Sequence, residues 1–372
     1  MFQNLKVLEL ASVLAGPSVG QFFAELGAEV IKVENLKTGG DVTRTWKISS
    51  EKEGDRSAYF CSCNWGKKSI AIDLGTSRGK EITQKLAARS DVVIASYKPG
   101  DAKKLGVDYD QLRRNHPEII YGQISGYGPN NDRVGYDAVV QAESGFMDLN
   151  GEADGPPLKM PVALIDILAG HQLKEGLLVA LLKKEKSGLG SLVEVSLIQT
   201  AIASLANQAT NWLVAKKLPT RKGSAHPNIA PYGEAFETRD GKTILIAVGN
   251  DKQFHNLCTL LDQQSLAILS DFATNEARVV HRKELNEILR QCIKKWQSDT
   301  LLQRMHEARI PAGWIQNVKE AFDMPEAKAM LIQSGDLSGV RSVAVSSLDA
   351  IPLLPPPKFG EHTQAIIESL GL

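Results

Sequence analysis

Short apolar runs alternate with helical stretches through the first third of the chain, and this alternation leaves few architectures open. Lys6–Leu10, Glu29–Glu34, Ser69–Leu74, Asp91–Ser96 and Ile119–Ile124 each read as a strand, with helical patterns near Val19 to Leu26 and from Ser77 onward. Neighbouring strands joined by a helix pair in parallel, because a parallel pair needs a crossover connection. The expected fold class is therefore α/β, with a Rossmann-like large domain built on a parallel sheet. Ligands of such sheets gather beyond the carboxyl ends of the strands, here the loops at 12–18, 34–46, 96–100 and 125–137.

A chain of 372 residues exceeds the size at which a single core stops growing, so a second, smaller domain is expected. Composition changes at the polar, basic connector 217–234, which carries Pro219, Gly223 and Pro227. Beyond it, Tyr232 to Gly249 reads as a hairpin turning at Arg239-Asp240-Gly241-Lys242. The expected division is a large domain over 1–200, a linker helix and connector over 201–224, a small α+β domain over 225–320, and a tail over 321–372 that returns to the large domain. Within it, one long helical region is expected from Gln199 towards Trp212, and a last helix from Gly360-Glu361-His362-Thr363.

Lys+Arg and Asp+Glu both number 43, so no bulk field draws the chain to nucleic acid or to an anionic membrane. Cys61, Cys63, Cys258 and Cys292 lack the spacing of a metal site and read as reduced thiols. The N-terminus resembles no signal or transit peptide, and no apolar run reaches membrane-spanning length. A cytoplasmic protein with no metal and no tightly bound cofactor is expected.

Asp166 stands apart, as one carboxylate in the run Pro161-Val162-Ala163-Leu164-Ile165-Asp166-Ile167-Leu168-Ala169-Gly170. An ionised group is costly to desolvate, so an acid placed there is either a helix cap or a group kept for chemistry. Helical spacing continues to Leu182, which puts Asp166 at a helix start, where free N–H groups stabilise negative charge. The first βα turn, Ser12 to Pro17, lacks the glycine pattern of a dinucleotide site, and Pro17 suits the first turn of a helix.

Several segments together match one family pattern: Leu8-Glu9-Leu10 with Val13 to Pro17; Leu26 to Glu34; Gly40-Asp41 with Thr43-Arg44; Asn64 and Lys67 to Leu74; Gly135-Tyr136-Asp137 with Gln141-Ala142 and Ser144-Gly145; Pro161 to Asp166; Asp240-Gly241; and Gly360 to Thr363. Over essentially its whole length the chain resembles the class III (family III) coenzyme A transferases, which include formyl-CoA:oxalate and carnitine CoA-transferases and the divergent α-methylacyl-CoA racemases. The resemblance implies an elongated homodimer of two interlocked rings. It implies Asp166 as a nucleophile that passes through anhydride and aspartyl-CoA intermediates, with backbone N–H groups at the helix start receiving the oxyanion and Tyr136 beside it. Acyl-CoA and a carboxylic acid are then the substrates.

Matched CoA-contact positions are Ala15, Ile72, Ser96, Tyr97 and Lys104, with Lys37, Arg44 and Lys98 as nearby cations. Asn35 and Lys104 stand where family transferases often carry arginine, and Leu14 where a glutamine is common. The racemase branch has a histidine where this chain has Tyr136, and a phenol with pKa about 10 is a poor base at neutral pH, so transferase is preferred to racemase or to a non-catalytic CoA-binding protein. The small domain lacks the glycine run of formyl-CoA transferases and offers Arg221 and His226 for a distal carboxylate of a larger acceptor. Succinyl-CoA is the expected donor.

Overall fold

The computed structural model describes residues 1–345, 348 and 350–372. Two compact units divide the chain, one comprising Met1–Phe146, Lys159–Ala209 and Lys328–Leu372, the other Met147–Leu158 and Thr210–Ala327.

The first unit contains β1 (Lys6–Leu10), α1 (Ala15–Glu25), β2 (Glu29–Asn35), β3 (Lys67–Ile72), α2 (Ser77–Ala87), β4 (Val92–Ala95), β5 (Ile120–Ser125), α3 (Asp137–Glu143), α4 (Leu164–Ser187), β6 (Leu192–Ser196) and α5 (Leu197–Ala203). All six strands run parallel in the order β3-β2-β1-β4-β5-β6, with Val7 opposite Val30 on one side and Val92 on the other. This is the doubly wound order, and its reversal between β1 and β4 opens the crevice in which such sheets hold ligands.

Successive strand residues point to opposite faces, so the sheet divides its apolar side chains between two cores. Val7, Val30, Val92 and Ile94 pack with Val19 and Phe23 of α1 and with Ile165, Leu173 and Leu177 of α4. Leu8, Ile70, Val93 and Tyr121 pack with Ile82 and Leu86 of α2, with Ile366 of the last helix, Thr363–Ser369, and with Leu370 just past its end. The tail is tied to β3, since the Ala71 N–H donates to Thr363 Oγ1 at 3.0 Å.

The second unit holds an antiparallel sheet of β7 (Tyr232–Glu237), β8 (Thr243–Ala247) and β9 (Ala312–Trp314), covered by helices that include Asp251–Leu260, Arg282–Ile293 and Ser298–Glu307. Phe236, Ile244 and Ile246 meet Phe254, Leu285 and Leu301 in its core.

Two local expectations are corrected, and the tail adds a hairpin. The helix α1 begins at Ala15, earlier than the apolar spacing implied, with Pro17 in its first turn. The helical region after 199 is two helices, because Ala206 adopts φ 47° and a left-handed residue cannot continue α5. The tail contains a hairpin of β10 (Leu331–Ser334) and β11 (Leu337–Val340), whose turn places Gly335 at φ 56°.

Candidate active site

The helix α4 forms because Ile165, Ala169, Leu173, Leu177 and Ala180 make one buried stripe at helical spacing. It ends at Gly188, at φ 71°, with Lys184 and Lys186 in the last turn. Its own N-cap position, Ala163, offers no capping side chain. Asp137 supplies the cap from the start of α3: its Oδ1 accepts from the N–H groups of Ile165 at 2.7 Å and Asp166 at 3.4 Å, and its Oδ2 from Gln141 Nε2 at 2.6 Å. Asp137 is held there by a backbone crossing, since a Cβ on Gly135 would lie 2.4 Å from the Gly126 Cα.

Asp166 therefore occupies the first turn without capping it, and the expectation that free N–H groups there stabilise its charge or an oxyanion is corrected. Those donors are already taken by a second carboxylate. The consequence is the reverse of ordinary capping. Burial, with the charge of Asp137 adding to it, pushes the Asp166 carboxyl up to about 7, and the side chain is only 8% exposed.

Facing Asp166 is the loop after β1. Val13 sits at φ 72°, a conformation that crowds any β-branched side chain. It is held from both ends: its N–H donates to Asp41 Oδ1 and Oδ2, each at 3.2 Å, and its carbonyl accepts from the Cys63 thiol at 3.4 Å. Burial pushes that thiol up to about 11, so it keeps its proton.

Asp41 is fixed in turn by Lys32 at 2.9 Å, which also pairs with Glu9 at 2.9 Å and donates to the Ala11 carbonyl at 2.7 Å. Lys67 pairs with Glu9 at 2.7 Å and donates to the Pro17 carbonyl at 2.8 Å. Burial opposes the Lys32 charge, yet Glu9, Asp41 and Glu34 overcome it and hold the ammonium above the usual lysine range. Paired charges beneath the loop thus fix its backbone on both sides of Val13.

Three cavities follow one another along this edge of the sheet. The first, about 690 Å³, opens over the ends of β1, β2 and β3 and is lined by Asn35, Lys37, Asp73, Ser96 and Tyr97 among others. The second, about 350 Å³, shares Ser12, Ser96 and Tyr97 with the first, and runs past Ala15 and Lys98 to Tyr136 and Asp166. The third, about 740 Å³, shares Val13, Tyr136, Asp137 and Asp166 with the second and extends along α4 between Trp46, Tyr59 and Val162.

Of the positions expected from sequence, Asp166, Tyr136, Ala15, Lys37, Ser96, Tyr97 and Lys98 line this series. Ile72 turns its side chain into the core, and its successors Asp73 to Gly75 line the first cavity instead. Lys104 pairs with Asp101 at 2.8 Å, and its neighbour Leu105 reaches that cavity. Arg44 is corrected from candidate phosphate ligand to structural cation: it is buried, forks onto Glu34 at 2.6 and 2.8 Å, and lies 3.7 Å from the Phe60 ring centroid. Arg221 and His226 are both engaged inside the second unit, Arg221 with Asp148 at 3.0 Å and His226 Nδ1 accepting from the Asn228 N–H at 3.1 Å.

Sequence reasoning missed Asp137 as the cap, Val13 as the strained residue, and Tyr59. Burial, with Asp166 adding to it, pushes the Tyr59 phenol up to about 12, so it stays a donor. An acid opening a helix with Gln141 four residues on is a local hint of a structural role, but it does not tell which helix Asp137 caps, 28 residues away. Among the described residues no cluster of His, Cys, Asp and Glu is arranged to hold a metal ion, and no helix is long and apolar enough to cross a membrane.

A family profile described as CoA-transferase family III matches residues 2–363. The chain is a member of that family. Succinate–glutarate CoA-transferase of Agrobacterium fabrum is 40% identical over 382 residues, covering 99% of this chain and 95% of the relative. Succinyl-CoA:glutarate CoA-transferase of Homo sapiens is 35% identical over 379 residues, covering 99% and 85%. The crystal structure of a CaiB/BaiF family protein from Brucella suis superposes with TM-score 0.86 at 41% identity, covering 99% of this chain and 98% of that one. This family III member is a CoA-transferase, an enzyme that uses CoA thioesters as substrates.

Proposed function

We propose that this enzyme transfers CoA from succinyl-CoA to a small dicarboxylic acid through covalent intermediates on Asp166. The observation that carries the reading is the series of three cavities leading from the strand ends to the desolvated carboxylate of Asp166. An adenine nucleotide suits the first cavity, a pantetheine arm the narrow second, and an acyl group or acceptor the third. The names of the relatives supply the donor and the acceptor class.

Asp166 attacks the thioester carbonyl carbon, the C–S bond breaks, and CoA leaves as a thiolate, giving a mixed anhydride. The thiolate then attacks the Asp166 carbonyl, releasing the donor acid and forming an aspartyl-CoA thioester. The acceptor carboxylate attacks that thioester to give a second anhydride, and CoA cleaves it at the acceptor carbonyl, regenerating Asp166. A thioester or an anhydride is present throughout, so the acyl group stays activated without ATP. Tyr59, protonated in the wall of the third cavity, is a donor for the developing oxyanion. Tyr136, 59% exposed at the mouth, meets the incoming acceptor.

The same reading includes a homodimer, for which the exposed Val179 and Leu182 of α4 and the absence of any buried residue in the helix Ala206–Leu213 give support. Four free, buried cysteines suit the reducing cytoplasm. Incubation with succinyl-CoA and hydroxylamine, followed by peptide mass spectrometry, should yield a hydroxamate on Asp166 that Asp166→Ala abolishes along with turnover. Full turnover by Asp166→Ala, or α-proton exchange without any acceptor acid, refutes the proposal.

A further inference from the structure

Lys174 lies on α4 two turns beyond Asp166 and opens on the same third cavity. It is only 7% exposed, yet among the described residues its ammonium has no hydrogen-bond acceptor and no ion-pair partner. The ammonium lies over the Phe22 ring, 5.3 Å from its centroid. The carboxylate in whose field it stands, Glu25, is already engaged by Gln21 Nε2 and by the N–H groups of Ser342 and Val343. Burial holds the ammonium below the usual lysine range, with Glu25 opposing. A largely buried side chain whose ammonium meets the cavity without a partner is placed to receive an anion that enters there.

We propose that Lys174 receives the distal carboxylate of the diacid held at Asp166, and thereby sets a preference for dicarboxylic over monocarboxylic substrates. This rests on the reading of Asp166 as the acyl carrier. Geometry supports the match. Eight residues of helix separate the two Cα atoms by about 12 Å along the axis. The separation of the two charged ends is set by that axial rise, on the order of 10 Å. That gap suits a glutaryl chain fixed at one end and hydrogen-bonded at the other. The third cavity's remaining basic groups are placed differently. His171 is exposed and is held below the usual histidine range, by burial first and then by Lys174, so it is neutral at neutral pH. Lys159 is exposed and donates to the Met160 carbonyl at 2.8 Å.

With succinyl-CoA as donor throughout, kcat/KM is measured for glutarate and for pentanoate as acceptors. The two acceptors have the same chain length, so their ratio isolates the distal charge from losses common to both. Lys174→Met should lower the glutarate-to-pentanoate ratio about 30-fold or more, the range for truncating one partner of a buried charge pair. Lys159→Met should leave the ratio unchanged, and Lys174→Arg, which keeps a cation, should retain a preference for glutarate. An unchanged ratio in Lys174→Met, a loss that follows Lys159 instead, or a preference lost equally in the Met and Arg variants overturns the proposal. Asp166 is judged separately, by hydroxamate capture in the wild-type enzyme. An Asp166 adduct with an unaltered ratio removes the Lys174 assignment alone, whereas no adduct removes the nucleophile.

Discussion

Two carboxylates in contact with one helix start do different work. Asp137 accepts the N–H bonds that would otherwise stabilise an anion at Asp166, and its own charge lies close behind them. Asp166 is left desolvated and beside a like charge, which favours its protonated form up to about pH 7. The attacking form is the carboxylate, so the rate of Asp166 adduct formation from succinyl-CoA should rise with pH through about 7 and level off above it. Asp137→Asn keeps an oxygen for the Ile165 N–H and removes the charge. Burial, the larger cause, remains, so the limb should move to lower pH while staying above the ordinary carboxylate range. Single-turnover rates across pH for both proteins test this, and an unmoved limb would show that Asp137 does not contribute.

Loop and helix meet at Val13, where backbone strain is held by Asp41 on one side and Cys63 on the other. Glycine adopts such a φ without the roughly 1–2 kcal/mol clash that an L side chain incurs there. Val13→Gly should therefore unfold at the same or a higher temperature. Its freer backbone should nevertheless lower kcat/KM by about 10- to 100-fold, the scale of a small misplacement of reacting groups. A thermal melt and an initial-rate assay decide it, and unaltered kinetics would leave the strain without a functional role. None of this was legible in the sequence, because φ at Val13 is imposed by residues far along the chain. The alternation of strands and helices was legible, as was the apolar helix carrying Asp166, since both are local patterns. Capping by Asp137 was not, because it spans 28 residues. The charges of Glu9, Lys32 and Lys67 look like outward-facing positions of half-exposed strands. A parallel sheet has both faces covered, however, so each had to be paired inside, and pairing depends on strand order.

At the scale of the whole chain, opposite charges balance at pH 7, so net self-repulsion is small there. A few desolvated groups add specific pH dependence of their own. Burial opposes ionisation at Asp41, but Lys32 prevails and holds it below the usual carboxylate range, so its stabilising contribution is lost as pH falls through its folded-state value. Asp166 acts with the opposite sign. Its folded value of about 7 lies above the ordinary 3.8, so the unfolded chain releases this proton first. The penalty on the folded state is absent below about pH 4, grows up to about pH 7, and is constant above that. In full it amounts to a few kcal/mol, on the order of 1.4 kcal/mol for each pKa unit. Asp166→Asn carries no such penalty. Its melting temperature relative to wild type should climb by several degrees between pH 4 and pH 7 and then hold steady, with Asp41 and the other titrating groups common to both proteins cancelling in the difference. A difference that stayed flat across that range would mean Asp166 is as well solvated in the folded enzyme as in the unfolded chain, and the desolvated nucleophile would have to be given up.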